Sequence, residues 1–132
     1  MPARPCPCGL EASFADCCGP LLAGTRQAET AAELMRSRYT AYLEGAVDYL
    51  LKTTAAVARE RLDRAGLAAY CRGLGGISLR ILEVQGGGLL EDTGVVAFAA
   101  TLRSQGRTFV QRERSRFARE QGRWVYVDGD VT

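Results

Sequence analysis

Between Thr30 and Gly45 the apolar positions recur at helical spacing. Leu34, Met35, Tyr39, Tyr42 and Leu43 form a broad stripe, with Arg38 inside it. Thr30-Ala-Ala-Glu33 has the spacing of a capping box, and Gly45 is a natural stop. Asp48 is placed to cap a short helix through Leu50, Leu51 and Lys52, and residues 55–72 read as a third helix weakened by Gly66. After Gly73 the period switches to two. Ile77, Leu79 and Ile81 alternate with Ser78, Arg80 and Leu82, until Gly86-Gly87-Gly88 breaks the run. Thr93 to Arg103, Arg107 to Glu120 and Arg123 to Asp128 read as further strands, joined by turns at Ser104-Gln105-Gly106 and Gln121-Gly122. Helices followed by an antiparallel meander predict an α+β domain.

Residues 1–24 show neither period and are rich in Cys, Pro and Gly, so they cannot bury a core of their own. They separate from the 25–132 α+β domain and hold four of the five cysteines, as Cys6-Pro-Cys8-Gly9 and Cys17-Cys18. Four thiolates so close in sequence can converge on one tetrahedral ion. The expected cofactor is a structural Zn2+, because closed four-sulfur coordination leaves no position for water or substrate. A disulfide pair would suit an exported chain, and a redox dithiol is normally C-x-x-C beside a βαβ unit; neither mark is present. Cys71, apart from the cluster, is expected to be a small buried packing residue.

Composition narrows the chemistry. The 132 residues include no histidine, which excludes Ser-His-Asp and Cys-His nucleophilic sites and a three-histidine catalytic zinc. Acid–base work by Glu, Asp or Tyr stays open. Net charge is only +2, but residues 103–123 hold seven arginines and two glutamates. No apolar stretch follows Met1 to Pro7, and no run approaches the ~18 residues of a membrane span, so a cytoplasmic protein without a membrane segment is expected.

Cys6-Pro-Cys8-Gly9, Phe14 and Cys17-Cys18 resemble the SEC-C motif, a short zinc-binding segment, with Leu10-Glu11-Ala12 in place of its usual Ser-Gly-Lys. Leu34-Met-Arg-Ser-Arg-Tyr39, Asp48-Tyr-Leu-Leu-Lys-Thr53, Glu113-Arg-Ser-Arg-Phe117 and Trp124-Val-Tyr-Val-Asp128-Gly129 extend the likeness over nearly the whole chain. Together they resemble the YchJ-like family, whose function is unassigned. The resemblance implies an NTF2-like cone, with N-terminal helices packed on a curved antiparallel sheet and a zinc knuckle in front. Two departures stand out: Thr54-Ala55-Ala56 replaces a common Trp-His-Pro, and Arg112 stands where a histidine often precedes the glutamate.

A cone of that kind usually encloses a cavity. Along the long strand, Phe109, Gln111, Glu113, Ser115 and Phe117 share one face, and Val110, Arg112, Arg114 and Arg116 the other. If the phenylalanine face points inward, Glu113 is a buried carboxylate in need of a partner, with Arg36 or Arg38 expected to supply it. Tyr39, Tyr49 and Tyr126, with Asp48 and Ser115, complete the candidate pocket. The leading reading is a zinc-stabilised module that binds a small ligand in the cone or a protein partner. A lyase or isomerase using Glu113 with the tyrosines is a second reading. A third is an RNA- or ribosome-associated adaptor using the arginine stripe, although that stripe lacks the aromatics that single-strand binding wants.

Overall fold

The computed structural model describes residues 4–132; residues 1–3 of the N-terminal segment lie outside them. A tight hairpin of chain leads through a 3₁₀ turn (Phe14–Asp16) into helix α1 (Cys18–Ala23). Helices α2 (Ala31–Glu44), α3 (Val47–Lys52), α4 (Ala56–Arg59) and α5 (Arg64–Arg72) follow. Strands β1 (Leu74–Gly86), β2 (Thr93–Ser104), β3 (Arg107–Glu120) and β4 (Arg123–Val131) then form one antiparallel sheet in the order β1-β2-β3-β4. This is the expected helices-then-meander α+β arrangement. No helix among the described residues is long and apolar enough to cross a membrane.

Local chemistry explains the boundaries. Thr30 Oγ1 accepts from the Glu33 amide at 3.1 Å, as the capping-box spacing requires. The Glu33 carboxylate, however, takes the Glu29 amide at 2.9 Å and Arg26 at 3.1 Å, rather than closing the box on Thr30. Gly45 ends α2 in the left-handed region, at φ 71°. Gln105-Gly106 and Gln121-Gly122 have positive φ at both residues, the two-residue turn whose twist matches that of paired strands.

Three expectations need correction. The helix foreseen over 55–72 is two helices, broken before Asp63, whose carboxylate accepts from the Gly66 amide at 3.1 Å. Gly66 therefore belongs to a helix start, where a Cβ would stand 2.9 Å from Asp63 Oδ2. Asp48 is not a cap: Ala46 holds that position in α3, and the Asp48 side chain turns outward to Arg64. Ile77 does not follow Leu79 and Ile81 inward. A register shift between Gly76 and Ser78 makes it the extra residue of a bulge and leaves it 48% exposed.

Further register shifts at Ile81/Glu83 and Arg116/Phe117 add bends that curl the sheet over the helices. Val96, Phe98, Ala100, Leu102 and Phe117 from the inner face share one core with Leu34, Met35 and Tyr39 of α2, Leu21 of α1 and Leu50 of α3. Full burial of each large apolar side chain contributes about 1.5–3 kcal/mol. Cys71 sits in the same core, as expected of a lone small residue.

The β1–β2 connection is pinned to the start of α2 by close backbone approach. Gly87 carbonyl accepts from the Ala31 amide at 2.9 Å, and a Cβ on Gly94 would lie 2.5 Å from Gly87 Cα. Gly94→Ala must push these segments apart, and is expected to lower stability by about 1–3 kcal/mol. A urea titration should show the midpoint falling with little change in slope; an unchanged midpoint would mean that the approach is not under constraint.

Candidate functional site

Chain geometry brings the four clustered cysteines to one point. Cys6 donates its amide to Ala12 carbonyl at 3.0 Å, and Gly9, at φ 91°, turns the chain so that Cys8 faces back toward Cys6. Cys17 follows the 3₁₀ turn and Cys18 opens α1. Gly19 is required next, because a Cβ there would meet Phe14 carbonyl at 2.7 Å. The four sulfurs all lie within 4.8 Å of one another, with Cys6, Cys8 and Cys18 buried. Cys8 and Cys17 sulfurs are 3.6 Å apart, close to the roughly 3.8 Å that two thiolates show across a tetrahedral zinc with ~2.3 Å bonds.

Helix α2 and the segment just before it support this cluster. Thr40 donates to Cys18 Sγ at 3.4 Å, while Arg36 and Arg26 donate to the carbonyls of Cys8 (3.0 Å) and Cys17 (3.4 Å). As thiols, the four sulfurs compete for charge. Hydrogen bonding, chiefly from Cys18, pulls the Cys8 thiol down to about 5. Burial pushes Cys17 up to about 12, and the hydrogen bond with Cys8 holds Cys18 well above the ordinary thiol range. One thiolate is accommodated and further negative charge is opposed. A dication that prefers sulfur relieves that opposition, so the donor set, its spacing and its charge all fit a metal ion.

The second feature is a cavity of about 280 Å³ between α2, α5 and the inner face of the sheet. Arg38, Tyr39, Glu113, Ser115 and Tyr126 line it, as the strand and helix faces suggest. Glu113 Oε2 accepts from Ser115 Oγ at 2.7 Å and Tyr126 Oη at 2.9 Å, and Oε1 from Gln111 Nε2 at 3.2 Å. Gly129 makes room for this carboxylate, since a Cβ there would stand 2.3 Å from Oε2.

The expected ion pair between Glu113 and an α2 arginine is not formed. Arg36 reaches the Cys8 carbonyl from the face of α2 turned away from Arg38. Arg38 is buried, at 7% exposure, and its Nη1 donates to Leu50 carbonyl, Thr53 Oγ1 and Thr54 Oγ1 at 3.0, 2.7 and 3.3 Å. Its guanidinium lies 4.9 Å above the Tyr126 ring. Asp48 and Tyr49 are also outside the cavity: the Asp48 side chain is 85% exposed, and Tyr49 Oη pairs with Ser37 Oγ at 2.7 Å in the core. Phe109, near the start of β3, is 36% exposed rather than inward with its neighbours.

Tyr70 and Phe98, which no sequence pattern marks, also line the cavity, as do Gln111 of the inward β3 face and Tyr42 of the α2 stripe. A signal existed for Tyr42, since Met35, Arg38, Tyr39 and Tyr42 follow the i, i+3, i+4, i+7 rule of one helix face. Tyr70 arrives on α5 through an edge-to-face contact with Tyr42, at 5.9 Å between ring centroids, which no local pattern announces. On the outer face, Arg114 pairs with Glu83 at 3.0 Å and Arg116 with Asp128 and Asp130. Of the seven arginines over 103–123, Arg114, Arg116 and Arg119 pair with acids, while Arg103, Arg107, Arg112 and Arg123 have no ion pair among the described residues.

Residues 30–129 match the family described as YchJ, middle NTF2-like domain. The chain is 43% identical to a UPF0225 protein of Streptomyces coelicolor over 98% of both chains. It is 39% identical to one of Geobacter sulfurreducens, over 94% of this chain and 77% of that one. The solution structure of a SEC-C motif containing protein from Rhodopseudomonas palustris superposes with a TM-score of 0.86 at 37% identity, covering 96% of this chain and 98% of the other. A crystal structure of a SEC-C motif containing protein from Psychrobacter arcticus shares the fold, at TM-score 0.82 and 22% identity, over 100% of this chain and 84% of that one.

Burial sets a pH dependence for this core. It holds Tyr39, Tyr49, Tyr70 and Tyr126 above the ordinary tyrosine value of 10.0, with the Glu113 charge adding to the effect on Tyr126. Because the folded chain keeps these protons longer than the unfolded chain, their contribution is complete below about pH 10 and is lost as pH rises through the folded values. Urea midpoints should stay level up to about pH 9 and fall above about pH 10, less steeply in Tyr126→Phe. A parallel fall in that variant would remove Tyr126 from the account.

Proposed function

The chain belongs to the YchJ-like family of NTF2-like domains, and on that premise we propose that it is a small-ligand-binding cone stapled by a structural zinc ion. The single observation that carries the reading is the cavity with its oriented carboxylate. An apolar chamber of about 280 Å³, close to the lower end of the usual range for small-molecule sites, holds a few converging polar groups. Glu113 is fixed from three sides by Gln111, Ser115 and Tyr126. A carboxylate held in this way is preorganised to recognise a donor.

Zinc is assigned to Cys6, Cys8, Cys17 and Cys18. With four sulfur ligands it supplies folding free energy to residues 4–24 and takes no part in chemistry. Placing four thiolates on a metal also suits a reducing compartment, so cytoplasmic residence is part of the proposal.

Native mass spectrometry of protein purified from its own host tests both halves. One zinc per chain is expected, together with an added small-molecule mass; Cys8→Ser should lose the zinc. Ala100 lines the cavity, so Ala100→Leu should lose the small molecule and keep the zinc. Retention of that mass in Ala100→Leu would place the ligand elsewhere.

A further inference from the structure

Arg38 is a buried charge whose hydrogen bonds all run through one atom. Nη1 serves Leu50 carbonyl, Thr53 Oγ1 and Thr54 Oγ1. No acceptor among the described residues takes Nε or Nη2 in hydrogen-bond geometry, and no carboxylate lies within ion-pair distance of the guanidinium. Yet no fully buried side-chain nitrogen or oxygen among the described residues lacks a partner. Nε and Nη2 are therefore open to a space, and for a residue 7% exposed that lines the cavity, the space is the cavity itself.

Glu113 is in a different condition. Oε2 has two donors, Ser115 and Tyr126, and Oε1 has one, Gln111, which leaves one acceptor direction on Oε1. The two charged groups stand on either side of Tyr126: its hydroxyl donates to Glu113 and its ring faces Arg38. The unmet demand is thus chiefly that of a cation. A buried guanidinium with free N–H groups is the costlier of the two to leave without a partner. Its planar fork matches a carboxylate in two-point contact.

We propose that the cone binds a small organic carboxylate with a compact apolar body, the carboxylate on Arg38 and a neighbouring hydroxyl or amine donated to Glu113 Oε1. This rests on the reading of the cone as a small-ligand site and names the class it takes. Tyr39, Tyr42, Tyr70 and Phe98 supply the apolar wall. A phosphate fits the site less well, since a doubly charged group would need more donors than one arginine offers in an apolar chamber.

The test is a matched ligand series on the zinc-loaded, full chain: phenylpropionate, phenylpropanol, phenylpropylamine and phenyllactate, followed by amide chemical shifts of cavity residues. Phenylpropionate should bind roughly tenfold or more tightly than the alcohol or the amine, the worth of a charge-assisted hydrogen bond. Phenyllactate, with its hydroxyl for Glu113, should bind more tightly still. Arg38→Gln should remove the acid's advantage over the alcohol. The comparison between ligands uses the unmodified chain, so it stands if that variant fails to fold. An alcohol or amine that binds as well as the acid overturns the carboxylate assignment while leaving the ligand-binding cone intact. If no member of the series shifts the cavity residues, both fail.

Discussion

Everything in this fold passes through helix α2, which must satisfy two unlike neighbours at once. On one side Thr40 and Arg36 reach the sulfur cluster and the backbone that carries it. On the other, Arg38, Tyr39 and Tyr42 face the cone. Leu34 and Met35 bury against the sheet between them. A helix presents such faces at fixed angles, so rotating it to improve one contact spoils the others. The N-terminal segment is therefore more than an appendage. Leu21, three residues past the last cysteine, lies in the main core, so ordering the sulfur cluster also sets one wall against which α2 is packed.

Placing a guanidinium beneath that helix is expensive, and burial pulls Arg38 below its ordinary value. The chain compensates with the C-terminal end of α3. Leu50 carbonyl and the Thr53 and Thr54 hydroxyls all point at Nη1, where the last carbonyls of a helix lack partners and favour a cation. Thr53 and Thr54 in turn donate to Tyr49 and Leu50 carbonyls at 2.6 and 2.7 Å, which orients their oxygens to accept. Glu113 is satisfied separately, by three neighbours from the sheet. Opposite charges are thereby kept in one chamber without collapsing onto each other, with Tyr126 between them. A direct ion pair would have filled the polar end of the cone; its absence keeps that end available.

Alternation and helical spacing were enough to read α2, the four strands in order, the turns between β2, β3 and β4, and the inward face of β3 from Gln111 to Phe117. Each is a local pattern, whereas α1 lies in a segment that shows neither period. The sulfur cluster was legible for the same reason: all four cysteines fall within one short segment. What escaped depended on single contacts. The break between α4 and α5 turns on one aspartate binding one amide, and nothing in the periodicity of 55–72 marks it. The bulge that exposes Ile77 follows from how β1 meets β2, since Gly76 pairs with Leu102 and Ser78 with Thr101. The pairing of Glu113 was misjudged because opposite charge is a weaker guide than proximity. Ser115 and Tyr126 are nearer and satisfy the same lone pairs without a second buried charge.

The two positions at which this chain departs from the family pattern it resembles have definite places in the fold. Position 112 lies on the outer face, opposite Ala99, with its side chain alternating away from Glu113. A histidine there would not enter the cone in any chain that keeps this register. The segment 54–56 is different, because Thr54 Oγ1 touches Arg38 directly. In this chain Thr54 supplies the buried arginine with a neutral acceptor, and the segment Thr54-Ala55-Ala56 holds no titratable group. The charge at Arg38 is then unaffected by protonation nearby in the range where histidine titrates. What is left in the cone is a permanent cation, an oriented carboxylate and tyrosines held protonated by burial. Burial keeps Tyr39, Tyr70 and Tyr126 protonated past the ordinary tyrosine value, and the carboxylate is oriented by neutral donors rather than by a second buried charge.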